Sequence, residues 1–208
     1  MQVAIVLYPG FTSLDVLGPY EVLGRLPGTE VVFVAERAGL VTNDLGSLSV
    51  EATATFADVP APDVVLVGGG PGQREQMSNA ALLDWLRAAD RTSRWTTAVC
   101  TGTFLLAAAG LLDGRRATTH WAGLDQLAEF GVTPSKDRVV VDGRYATGAG
   151  VSAGIDMALT LAGLVAGDDV AQTVQLVIEY APEPPYRAGS LDTAPAAVVE
   201  NARKVLSG

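Results

Sequence analysis

Four short runs of apolar or β-branched residues, Val3–Leu7, Val31–Val34, Val64–Val67 and Thr96–Val99, are separated by longer amphipathic stretches. This alternation restricts the fold more than any other feature, because strands apolar on both sides must be covered on both sides. It predicts an α/β fold, a doubly wound and mostly parallel sheet with helices on both faces. Apolar spacing of i, i+3, i+4 predicts helices over Asp15–Leu23, Ala80–Ser93, Gly102–Leu111, Trp121–Phe130, Ala153–Leu164 and Val170–Glu179. Gly110 and Gly131 stand where two of these would stop. Val139–Val141 and Arg144–Ala146 flank Asp142-Gly143, which predicts a hairpin.

The 208 residues fit one domain, 1–208, with 182–208 expected as a C-terminal loop and helix packed on it. Pro182, Pro184 and Pro185 end the last core helix, and a final helix over Ala196–Leu206 follows, capped by Asp192 or Thr193. The net charge of −9 repels phosphate backbones, so nucleic acid is not expected as a partner. Gly163 and Gly167 break the apolar run of Leu159–Ala166, so no membrane span is expected. The N-terminus reads as a strand rather than a secretion signal. One cysteine cannot form an internal disulfide, and a free thiol suits the cytoplasm.

That cysteine, Cys100, lies between the strand Thr96–Val99 and a helical stretch, with small residues on either side. A tight strand-to-helix turn needs such residues, and it would present the thiol above the sheet on strained dihedrals. The following helix N-terminus is expected to lower the thiol pKa. A buried, inert cysteine is the plain alternative, but ligands of α/β sheets bind at this end of the strands. After Val64–Val67 comes Gly68-Gly69-Gly70-Pro71-Gly72, a run that can turn backbone N–H groups toward an anion or serve only as a tight turn. It lacks the features of a phosphate loop. Asp15 follows the first strand, either as a reactive acid or as a helix cap alongside Ser13. His120 is the one histidine and is expected to be structural; with a single cysteine it makes poor metal-site material.

With these features in order, the chain resembles the DJ-1/PfpI superfamily, whose domain is flavodoxin-like and carries a cysteine elbow. The likeness runs over almost the whole chain: Leu14-Asp15 with Gly18-Pro19, Val99-Cys100-Thr101-Gly102, Arg116-Ala117-Thr118-Thr119-His120-Trp121, Gly154-Ile155-Asp156, and Glu179-Tyr180-Ala181-Pro182. It is closer to the isocyanide-hydrating branch. The resemblance implies Cys100 as nucleophile, Asp15 as its acid/base partner and Thr101 beside the thiol. It also implies substrate or water binding by the backbone amides of Gly69, Gly70 and Thr101. Relatives of this kind need no metal or organic cofactor and form homodimers with the site near the interface, so a homodimer acting on a small isocyanide is expected. The protease and deglycase branches place histidine where this chain has Thr101, and much of the superfamily has glutamate where it has Asp15. A redox or stress sensor, in which Cys100 is oxidised, is the rival reading; a regulator's ligand-sensing module and aldehyde or glyoxal hydration are weaker ones.

Overall fold

The structure is a computed structural model that describes residues 1–207. In chain order the elements are β1 (Gln2–Val6), α1 (Ser13–Leu23), β2 (Glu30–Ala35), β3 (Gly39–Thr42), β4 (Ser49–Ala52), β5 (Ala54–Thr55) and β6 (Val64–Val67). Then come α2 (Gln73–Gln76), α3 (Ala80–Asp90), β7 (Trp95–Val99), a 3-10 turn at Cys100–Gly102, α4 (Thr103–Ala108) and β8 (Arg116–Ala117). A 3-10 helix over Trp121–Phe130, β9 (Thr133–Pro134), β10 (Val139–Asp142), β11 (Tyr145–Gly148), α5 (Ala153–Ala166), α6 (Asp168–Val177) and α7 (Ala196–Ser207) complete it. By its contacts the chain falls into two compact units, Met1–Ile178 and Glu179–Gly208.

The first unit is built on a seven-stranded sheet of order β10-β11-β7-β6-β1-β2-β5. All its pairings are parallel except β10 with β11. All four residues of β6 are fully buried, as are Val3–Val6 of β1, the burial expected of central strands covered on both faces. The strand order reverses about β1 and β6, and the loops after β1, β6 and β7 therefore gather at one end of the sheet, where such folds place their ligands.

Local chemistry accounts for several boundaries. Asn79 caps α3, its side chain accepting from Ala81 N at 3.0 Å and Leu82 N at 3.3 Å. Gly131, at φ 72°, closes the stretch Trp121–Phe130, which is wound as 3-10 rather than the predicted α-helix. The expected hairpin forms, but Asp142 pairs with Tyr145, so its two-residue loop is Gly143-Arg144 and not Asp142-Gly143. Arg144 turns back from that loop to Asp90 at 2.6 Å. β3 and β4 form a separate antiparallel hairpin that the sequence reading did not predict. On α5, Met157, Ala158 and Leu161 are buried and Leu164 is exposed.

Among its described residues the second unit has one helix, α7, where Ala196–Leu206 was predicted. The Pro195 carbonyl accepts from Val198 N and Val199 N, starting the helix, while Thr193 N bonds back to the Ser190 carbonyl in a preceding turn. No described helix is long and apolar enough to cross a membrane.

Candidate active site

Cys100 directly follows β7 and opens the 3-10 turn, and its φ of 57° lies in the left-handed region that a side chain rarely adopts. Two bonds hold it there. Its N–H donates to the Ala149 carbonyl at 3.0 Å, and its carbonyl accepts from the Thr119 hydroxyl at 2.7 Å. The loops after β7, β8 and β11 thus clamp the elbow. The thiol is nearly buried, 5% of the residue being exposed.

Asp15 comes from the first turn of α1 and is fully buried. It caps nothing: the N-cap is Thr12, and the carboxyl turns inward instead. Oδ2 accepts from the Gly69 amide at 2.7 Å, and the Cys100 thiol lies within hydrogen-bonding range of the same carboxyl. Oδ1 makes no hydrogen bond of regular geometry among the described residues.

The glycine run bridges α1 and the elbow through two consecutive peptide groups. The Gly68 carbonyl accepts from the Tyr8 hydroxyl at 2.7 Å, and the N–H of the same peptide, on Gly69, donates to Asp15. The Gly69 carbonyl accepts from Thr12 N at 2.8 Å, and the N–H of that peptide, on Gly70, donates to Thr101 Oγ1 at 3.0 Å. No side chain fits here: a Cβ on Gly69 would stand 2.5 Å from both the amide and the hydroxyl of Thr101. Gly70 takes φ 132°, open to glycine alone. The Gly69 and Gly70 amides, expected to meet a substrate, have partners within the protein. There they orient Asp15 and Thr101.

Burial pushes the Asp15 carboxyl up to about 7, against the Gly69 bond and the Cys100 contact, which favour its charge; Asp44 adds a small upward push. Burial first, then the Asp15 charge, pushes the Cys100 thiol up to about 12. The backbone amides of Val151 and Thr101 oppose this without overcoming it. The helix was expected to lower the thiol. It does not, because burial and the neighbouring Asp15 charge outweigh the amides that favour thiolate. Two acids that repel each other's ionisation hold one proton between them from about pH 7 to pH 12. Above about pH 7 the site thus carries a single negative charge, which rests mainly on the Asp15 carboxylate, with thiolate plus carboxylic acid as the minor tautomer.

A model of the DJ-1/PfpI family matches residues 1–163. The chain belongs to the DJ-1/PfpI family. Among members of this family and their structures, it is similar to the isonitrile hydratase of Pseudomonas putida, 50% identical over 204 residues, which are 98% of this chain and 89% of that protein. It is also similar to the crystal structure of a THiJ/PfpI family protein from Pseudomonas syringae, 38% identical with a TM-score of 0.96, covering 99% of this chain and 86% of that one. Drosophila melanogaster DJ-1beta shares the fold, with a TM-score of 0.78 at 23% identity over 87% of this chain and 98% of that one. The flavodoxin-like α/β architecture expected from the sequence is the one observed.

Of the residues singled out in the sequence, the fold brings together Cys100, Asp15, Thr101, Gly69 and Gly70. His120 stands to one side. Its Nδ1 accepts from Ala122 N at 3.3 Å, capping the 3-10 helix. Its ring fills the space that a side chain on Gly150 would need, 2.6 Å from an added Cβ. Burial lowers its pKa, so the ring is neutral. Two site members were missed. Val151, at φ 30°, contributes only an amide, and no side-chain identity announces that. Tyr8 reads in the sequence as the end of a strand, and only the pairing of β1 with β6 sets it beside the glycine run.

Proposed function

We propose that this protein hydrates organic isocyanides to N-substituted formamides, with Cys100 as nucleophile and Asp15 as the acid and base. The observation that carries the reading is the buried Cys100–Asp15 pair holding one proton at neutral pH. The 50% identity to an isonitrile hydratase over nearly the whole chain supports the substrate class.

The pair supplies what the reaction needs. In the form thiolate plus carboxylic acid, sulfur attacks the terminal carbon of R–N≡C, and Asp15 gives that carbon its proton. A thioimidate, R–N=CH–S–Cys100, and an Asp15 carboxylate result. Water then adds to the carbon while one of its protons passes to Asp15 and the nitrogen gains the other. Collapse of the adduct expels the thiolate and releases R–NH–CHO. The proton first held by Asp15 is now the formyl hydrogen, and the pair is restored.

The amides of Val151 and Thr101 stabilise negative charge on sulfur as it forms and as it leaves. Thr101, oriented by Gly70, stands next to the reacting thiol. The reading takes the working form as a cytoplasmic homodimer. The free thiol suits a reducing compartment, and exposed Leu164, Leu176 and Val177 on α5 and α6 suit a contact between copies. Proton NMR of the protein mixed with an aryl isocyanide tests the reading: a formyl signal growing with enzyme concentration is expected. Its absence, with the isocyanide intact, overturns the reading.

A further inference from the structure

Tyr8 is a buried titratable group for which the chemistry above has no use. Among the described residues its hydroxyl has one hydrogen-bond partner, the Gly68 carbonyl at 2.7 Å. That carbonyl and the Gly69 N–H belong to one peptide group, and the Gly69 N–H is the donor to Asp15 Oδ2 at 2.7 Å. A phenol donating to the carbonyl of a peptide polarises its C–N bond, and the N–H on the far side becomes a stronger donor. The three groups form a chain of hydrogen bonds with one direction, from phenol through peptide to carboxyl.

We propose that Tyr8 is a positioning residue for Asp15, acting through the Gly68–Gly69 peptide group to fix the carboxyl and strengthen the amide that holds its charge. It touches neither substrate nor sulfur in this role. Geometry favours the chain over a simple packing role. The glycine run has no side chain of its own to anchor it, and Gly68 approaches α1 so closely that an added Cβ would meet Val16 at 2.7 Å. Tyr8 fixes that peptide from the β1 side, and Thr12 N fixes the next one. Cys100 from the elbow and Asp44 from the β3–β4 loop act on Asp15, and the Asp15 charge in turn raises Tyr8, which follows β1. Thr12 Oγ1 holds Asp44 at 2.7 Å. With the phenol gone, Gly69 donates more weakly and the carboxyl keeps its proton to higher pH.

The inference takes the acid role of Asp15 from the reading above, but its test needs no turnover. Cys100 is the one cysteine, so alkylation of the full-length protein by iodoacetamide, followed by intact mass, reports thiolate at the pair alone. The rate should step up near pH 7 as the pair loses its first proton. In Tyr8→Phe the step should move to higher pH, with the rate at pH 6 unchanged and the plateau above the step raised by up to about tenfold for each unit of movement. 3-Fluorotyrosine at position 8, a stronger donor that keeps the ring, should move it down. Thr97→Val removes a comparable buried bond, from Thr97 Oγ1 to the Val65 carbonyl at 2.9 Å, and should leave the step in place. A step unmoved in Tyr8→Phe, or moved as far in Thr97→Val, overturns the proposal, as does a wild type without a step between pH 5 and 9. If Tyr8→Phe does not fold, the fluorotyrosine protein decides: a step unmoved or raised overturns it.

Discussion

Replacing Asp15 by asparagine should make the protein more stable at neutral pH while removing its activity. The native site holds the Asp15 proton to about pH 7, whereas an ordinary aspartate releases it near 3.8. Between those values the folded chain carries a proton that the unfolded chain has lost. Stability from this group is therefore fully present below pH 3.8, falls as pH rises toward 7, and is level above. The gap corresponds to about 4 kcal/mol. For a chain of this size that is roughly 8–16 °C in melting temperature. In Asp15→Asn the side-chain amide carbonyl can still accept from Gly69, so the hydrogen bond stays and only the titration goes.

Other titrating groups are common to both proteins and cancel in the difference. Urea unfolding of wild type and Asp15→Asn followed by circular dichroism at pH 4, 5, 6, 7 and 8 measures it. The variant should gain on the wild type by about 1 kcal/mol per pH unit through the window, levelling near pH 7. A difference that does not change with pH refutes the assignment of a raised, buried carboxyl to Asp15.

Gly69→Ala should cost at least about a hundredfold in turnover, because its methyl group would displace the Thr101 amide and hydroxyl; steady-state rates on an aryl isocyanide and a melting curve check it. Thr101→Val keeps the elbow's shape but removes the acceptor of the Gly70 N–H, and turnover should fall about tenfold with a stability loss of about 1–3 kcal/mol. Asp90→Ala, beside the end of β7 opposite Cys100, should destabilise by about 1–3 kcal/mol in urea with little change in turnover per folded molecule. It would strip partners from Thr96 Oγ1 at 2.7 Å, Arg144 at 2.6 Å and the Tyr145 hydroxyl at 3.1 Å. For the wild type, kcat/KM should rise with pH through about 7, as the pair reaches its singly protonated form, and a profile that falls there contradicts the pairing.

The sheet was legible in the sequence because its central strands are buried on both faces, and continuous apolar runs such as Val64–Val67 record that burial directly. The β3–β4 hairpin was not. Leu40 is 76% exposed, so these short strands lack the apolar alternation that marks a half-buried one. Cys100 announced itself through the small residues that a left-handed elbow needs. Asp15 was legible only as a choice between cap and acid, since nothing local records that its carboxyl turns inward to Gly69. The direction of the thiol's pKa was misjudged for a related reason. Helix propensity is local and readable, but the burial that outweighs it arises from tertiary packing. Tyr8 and Val151 act through backbone groups brought near by strand pairing, a relation between distant segments that no run of residues encodes.

The central claim is covalent catalysis by Cys100 on an isocyanide carbon, and the most direct test is rapid-quench intact mass of the enzyme during turnover of an aryl isocyanide. A transient species heavier by the mass of one isocyanide, located on Cys100, is expected, with neither adduct nor formamide from Cys100→Ala. Formamide formed by Cys100→Ala at the wild-type rate, with no adduct on the wild type at any time, would contradict that claim.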